Sequence, residues 1–224
     1  MAVVHRTVLK PTKLELLGAW LPSRPWYRGA EDGPRLARAG GFRLDDPEGE
    51  VGIEFIVATD TSGPRPATYL LPLTYRGAPL DGAEDALVGT MEHGVLGRRW
   101  AYDGCHDPVL VAQLTALIAG RAQAQDQDIS DTPDPEVTAS HTDGAAVPTD
   151  LADAADDRDG TVLTASDGAT LRLHRVLEPA GDAPAPASDE TPAGAVGHVT
   201  GAWETADGTP ARAVFAVLRP GAGA

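Results

Sequence analysis

Residues 51–75 read VGIEFIVATDTSGPRPATYLLPLTY. Val51, Ile53, Phe55 and Val57 alternate with Gly52, Glu54, Ile56 and Ala58. That period of two places one face of a strand against a core. Ser62-Gly63-Pro64 breaks the run, and Tyr69, Leu71, Leu73 and Tyr75 then share one face of a second strand. Pro72 cannot donate to a ladder, so an edge or a bulge is expected there. Two strands around a short break start a mostly antiparallel sheet.

Upstream, Val3–Leu9 is short, β-branched and stopped by Pro11, which predicts a strand. Thr12 then caps a short helix through Leu14, Leu16 and Leu17 that ends near Gly18 or Trp20. Residues 20–29, WLPSRPWYRG, concentrate two Trp, one Tyr and two Arg in a stretch with no periodicity. Gly41–Leu44 reads as a strand. Downstream, Glu84–Glu92 predicts a short helix and Val95–Tyr102 a strand, followed by Asp103-Gly104 turn chemistry. Asp107-Pro108 is a helix start, because the Asp oxygen accepts from orphan amides and Pro presets φ at the first helical position. Leu110, Leu114, Leu117 and Ile118 fall on one face of that helix, which should pack across the sheet and end near Gly120 or a turn later.

From Gln125 to Arg158 periodicity is lost. Asp126 to Asp159 hold eleven acids and one base, Arg158, about ten of the fifteen excess negative charges in a chain of net charge −15. A stretch so poor in apolar residues is expected to be a disordered acidic tether over 125–160, since it cannot offset ordering entropy of ~1–2 kcal/mol per residue. Strand signals return at Thr161–Thr164, Leu171–Leu177, Gly197–Glu204 and Arg212–Leu218, with a loose Pro/Ala-rich segment over Pro179–Ala195. Two hairpins are too little to stand alone, so residues 161–220 are expected to complete the first sheet.

No basic footprint exists for nucleic acid, and no apolar run has the length of a membrane span. The single Cys105 excludes an internal disulfide, and MAVVHRTVLK lacks the apolar run of a signal peptide. A soluble cytoplasmic protein is expected, with no statement possible on oligomeric state.

Two separated motifs, Trp20-Leu21-Pro22 with Arg24, Trp26 and Tyr27, and Asp103-Gly104 with Asp107 and Pro108, resemble the N-terminal cap domain of the bacterial maltokinases and related glucosamine kinases. Pro25 is inserted between Arg24 and Trp26. The resemblance covers roughly residues 3–120 and implies a cap-like domain over 1–124 with a cystatin-like architecture. It also implies a partner among sugar kinases or enzymes of α-glucan and trehalose metabolism. LRLHRVLEPAGDA (171–183) is similar to the strand after the cap in those kinases, and Arg172 stands where their phosphate-serving Lys does. Arg differs from Lys in shape and hydration.

The residues that follow do not supply a kinase lobe. Phosphoryl transfer needs a catalytic acid and metal-holding residues, and His141-Thr142-Asp143 has Pro148 where a catalytic loop has Asn. A non-enzymatic interaction module is therefore the first reading, with no cofactor. A degenerate sugar kinase and a small-sugar binder are the alternatives. In the last, Trp20, Trp26, Tyr27, Arg24 and Arg28 form a ligand or partner surface. Burial is favoured for the two indoles, because aromatic surface is scarce here and a buried ring covers ~150–250 Å². Cys105-His106-Asp107 is no nucleophile pair, since Asp107 caps a helix and adjacent side chains rarely reach each other. The six His show no metal-ligand spacing. The expected class is α+β: a strongly bent, mostly antiparallel sheet with a helix packed on it and an acidic insertion.

Overall fold

The computed structural model describes residues 9–179 and 191–221. The elements in chain order are β1 (Leu9–Lys10), α1 (Lys13–Trp20), β2 (Leu36–Leu44), β3 (Gly52–Asp60), β4 (Ala67–Arg76), β5 (Leu87–His93), β6 (Gly97–Asp103), α2 (Pro108–Ile118), β7 (Thr138–His141), β8 (Ala152–Asp156), β9 (Gly160–Thr164), β10 (Thr170–His174), β11 (Val176–Leu177), β12 (Gly197–Glu204) and β13 (Pro210–Arg219). The strand expected over Val3–Leu9 lies mostly outside the described residues, as does most of the loose segment Pro179–Ala195. Among the described residues no helix is long and apolar enough to cross a membrane.

The strands form two sheets, and the named pairings are all antiparallel. The first has the order β1-β5-β6-β4-β3-β2, with β11 also on β4, and it curls strongly into a half barrel. Bulges at Arg38/Gly40 in β2 and Leu87/Gly89 in β5 contribute to the curl, since a bulge bends and twists its strand. The second sheet has the order β7-β12-β13-β10-β9-β8. The two C-terminal hairpins thus do not complete the first sheet; only β11 joins it. The reason lies in surface. One face of the first sheet carries Phe42, Leu44, Ile53, Phe55, Val57 and Leu70. An 11-residue helix spans only about 16 Å, so α2 cannot cover that face by itself. The second sheet brings Leu163, Leu171, Leu173, Val199, Trp203 and Phe215 to the same core. Phe42 stacks on Phe55 at 4.4 Å and on Phe215 at 6.3 Å, which ties the two layers together.

Helix α1 starts as read. Thr12 accepts from the Glu15 amide, and Glu15 accepts from the Thr12 amide, a reciprocal cap. It covers the opposite face of the first sheet with Leu17 and Trp20, joined by Leu21 of the turn that follows, against Ile56, Tyr69, Leu71, Leu73 and Met91. Helix α2 begins at Pro108 behind the Asp107 cap.

Three further expectations are corrected. The helix expected over Glu84–Glu92 is a single 3-10 turn, Glu84–Ala86, followed by β5. Here Val88 and Met91 must reach the core beneath α1, and Gly89 admits Leu16, whose Cδ2 would lie 2.6 Å from a Cβ at 89. Pro72 sits at no bulge and not in an outer strand, and meets an edge only locally. It lies opposite Phe55 in the middle of β4. On its other side β4 pairs with β11 at Thr68 and Tyr69 and with β6 from Leu73. Pro72 falls in the gap between those two partners, where no amide is needed.

The stretch over 125–160 is not a structureless tether but contains β7 and β8. Its order comes from polar bonds to strands that would otherwise be edges. Gln125 exchanges two 2.9 Å backbone bonds with Arg43 of β2. Gln127 donates its side-chain amide to the Phe55 carbonyl beside the β2 bulge, at 3.1 Å, and accepts from Arg38. Strands β7 and β8 cover β12 and β9.

Candidate functional site

The stretch from Trp20 to Gly29 leaves α1 through a 3-10 turn, Leu21–Ser23. Ser23 closes the turn by donating to the Trp20 carbonyl at 2.6 Å. Trp26 is wholly buried and Trp20 nearly so. Their rings meet edge to face at 5.7 Å, and Trp26 lies 5.9 Å from Tyr69. The Arg24 guanidinium lies over Trp20 at 4.9 Å. Tyr27 stacks on Tyr69, whose hydroxyl accepts from the Arg28 amide at 2.8 Å. Burial pushes the Tyr69 phenol up to about 12, so it stays protonated.

The two cations of the stretch are turned toward the second half of the chain. Arg28 pairs with Asp159 at 2.7 Å and Glu178 at 3.1 Å. Arg24 lies 4.0 Å from Asp156. Trp20 and Trp26 thus have 8% and 0% of their surface exposed, whereas Tyr27 and Arg24 are half-buried.

At the centre stands Arg175, between β10 and β11 and wholly buried. One of its terminal nitrogens donates to both oxygens of Asp103, at 2.6 and 2.7 Å. Nε donates to the Thr161 hydroxyl at 2.7 Å, and the guanidinium lies 5.3 Å from the Trp26 ring. Burial alone would discharge such a group. The Asp103 charge outweighs it, and the net direction is upward. Asp103 also accepts from the Cys105 amide. The Cys105 thiol is buried beside it and pushed far up by desolvation, which keeps it inert.

Each position of the second motif is engaged in packing or bonding within the chain. A Cβ on Gly104 would lie 2.2 Å from Leu110 Cδ1, so the close approach of turn to helix requires glycine. Asp107 caps α2 through the Val109 amide at 3.0 Å and receives two 2.7 Å bonds from Arg76. Burial raises its carboxyl, and the bonds from Arg76, Thr74 and Val109 outweigh that, so it titrates below the usual range. Pro108 occupies the first helical position.

Both motifs therefore meet on one arginine. Residues 20–107 match the family model of the maltokinase N-terminal cap domain. The match runs from Trp20, the first residue of the aromatic motif, to Asp107, the cap of α2. It covers 88 of 224 residues, a narrower span than 3–120. No curated protein matches the chain.

Outside the cap match, Arg172 of β10 is held by Asp157 through bonds of 2.7 and 2.9 Å. A phosphate at Arg172 would compete with that carboxylate, which the Arg172 bonds depress to about 2. Among the described residues no group of three or more His, Cys, Asp or Glu could hold a metal ion. Sequence reasoning missed Arg175. Its signal was parity: Leu171 and Leu173 point into the core, and an arginine two residues later must carry its charge inward to an acid. Asp60 was missed too. It is buried, and it accepts from the Arg35 and Ser62 amides and the Ser62 hydroxyl, all at 2.8 Å.

Proposed function

We propose that the chain is a non-catalytic, maltokinase cap-like accessory module of the cytoplasm. It serves sugar phosphorylation or α-glucan and trehalose metabolism by docking on a sugar kinase or a glucan enzyme. The observation that carries the reading is the cap match over residues 20–107. It is supported by the use of both cap motifs for internal packing, on Arg175 and on α2, rather than for lining a cleft. The curled sheet with α1 across one face is, on this reading, a cystatin-like cap, and the second sheet, β7-β12-β13-β10-β9-β8, is the layer that packs on its other face.

The test is a pair of measurements on the purified full chain. Incubated with ATP, magnesium and maltose or glucosamine, it should transfer no phosphate. Mixed with a purified maltokinase, it should bind saturably in sedimentation and change the kinase's turnover. Sugar phosphorylation that copurifies with the chain and is lost in Arg172→Ala would replace this reading by a degenerate kinase. Absence of binding to both a maltokinase and an α-glucan enzyme would remove the docking reading.

A further inference from the structure

A cleft of about 370 Å³ opens at the end of the first sheet, away from both cap motifs. Its floor is Glu54, whose side chain is only 8% exposed. One oxygen of Glu54 accepts from Lys13 Nζ at 2.5 Å and from the Tyr75 hydroxyl at 2.8 Å. The ammonium is thereby fixed over the Tyr75 ring, 5.2 Å from its centroid. Glu54 is thus spent on positioning a cation, and its own charge is offset by it.

The wall formed by β6 carries Arg99, which is half-buried. Arg99 has no hydrogen bond and no ion pair among the described residues. Its guanidinium occupies space that a side chain at Gly77 would take: a Cβ there would lie 2.6 Å from Nη1. A half-buried guanidinium gains from a carboxylate partner, and among the described residues no acid supplies one to Arg99. Met91 and Leu96 supply apolar wall beside it, and Leu96 is 45% exposed at the mouth.

We propose that this cleft binds a small carboxylate with an apolar body. The carboxylate lies against the Arg99 fork with Lys13 alongside, and the hydrocarbon rests on Met91 and Leu96. A guanidinium matches a planar carboxylate with two parallel bonds. A phosphate monoester is disfavoured, because Asp46 and Glu50 also line the cleft and would repel a dianion more strongly than a monoanion. The site is independent of the docking reading, since it uses neither cap motif.

The experiment uses hexanoate as the probe, with hexanol and hexylammonium as controls, followed by amide and guanidinium NMR shifts on the full chain. Hexanoate should produce saturable shifts at Gly52, Gly77, Met91 and the Arg99 Nε–H. Hexanol should bind at least about tenfold more weakly, as expected for loss of a charge-assisted bond. Arg99→Gln should weaken hexanoate by a similar factor. Gly77→Ala, which keeps the charge but displaces the guanidinium, should also weaken it. Arg98→Gln is the control: it changes the neighbouring residue, which lies on the opposite face of β6, and should change nothing. Equal binding of hexanol and hexanoate, preference for hexylammonium, unchanged affinity in Arg99→Gln or Gly77→Ala, or no saturable shift would each overturn the proposal.

Discussion

A single guanidinium nitrogen of Arg175 lies 2.6 and 2.7 Å from the two carboxylate oxygens of Asp103, with both residues buried. One partner ends β6 at the start of the second cap motif; the other comes from 72 residues further on, between the two sheets. The pair is the bolt between the first sheet and the layer that covers it.

Removing one half of that bolt leaves a buried charge uncompensated. Arg175→Met is expected to cost about 3–5 kcal/mol. Arg175→Met combined with Asp103→Leu should recover most of that loss, because an apolar pair of similar volume removes both desolvation penalties. Urea unfolding of the two singles and the double gives the coupling directly. A double variant no more stable than the singles would mean the pair is not isolated from its neighbours Thr161 and Cys105.

Trp26 fills space that no other aromatic can take, since Trp20, Tyr69 and Arg175 all pack around it. Trp26→Ala is expected to cost about 3–5 kcal/mol. Arg28→Ala removes two ion pairs whose members are all well exposed and should cost no more than about 1 kcal/mol. Equal losses in the two variants would contradict the division of the stretch into a buried anchor and a solvated rim.

The Thr12 cap, the Asp107-Pro108 helix start and the alternation around Val51–Tyr75 were all legible in the sequence, because each is local chemistry repeated over a few residues. The joint at Trp20–Gly29 was legible as a place of burial. The layer it is buried under was not. Arg175 pairs with an acid 72 residues away, and no local period encodes that. The order of 125–160 was hidden for a different reason. A composition argument counts apolar surface, whereas this segment is held by backbone and amide bonds to β2, β9 and β12.

That correction carries its own test. Replacing residues 126–158 by a short Gly/Ser linker removes β7 and β8 and the Gln127 bond to Phe55. It strips the cover from β12, β9 and the β2 bulge. The melting temperature should fall by at least about 10 °C, given roughly 2–4 °C per kcal/mol in a chain of this size, and bare strand edges should promote association. A melting temperature unchanged by the replacement would return the segment to the status of a tether.

Asp107 makes stability depend on acid in a defined direction. Its carboxyl titrates below the usual 3.8 in the folded chain. A depressed acid contributes stability above its unfolded pKa and loses it as pH falls through the folded value. The α2 start should therefore weaken below about pH 4 and not at neutral pH. Arg76→Ala removes the bonds from Arg76, so burial then dominates and the Asp107 carboxyl should rise. Loss of stability on acidification should begin at higher pH in that variant, read as unfolding midpoints across pH 3–6. Coincident pH profiles for the two proteins would mean that Arg76 does not hold the cap charge.

Gly104 tests how tightly α2 is set against the turn that precedes it. Its backbone does not need a left-handed conformation, so alanine is admissible locally. The obstacle is steric: the new Cβ would lie 2.2 Å from Leu110 Cδ1 and 3.4 Å from the Pro72 carbonyl. Leu110 is fully buried and cannot swing into solvent. Gly104→Ala is expected to cost about 1–3 kcal/mol through overpacking. Leu110→Ala in the same background relieves the clash, so the double variant should lose less than the two single losses added together. Strict additivity, measured in one denaturant series, would place the cost of the alanine somewhere other than this contact.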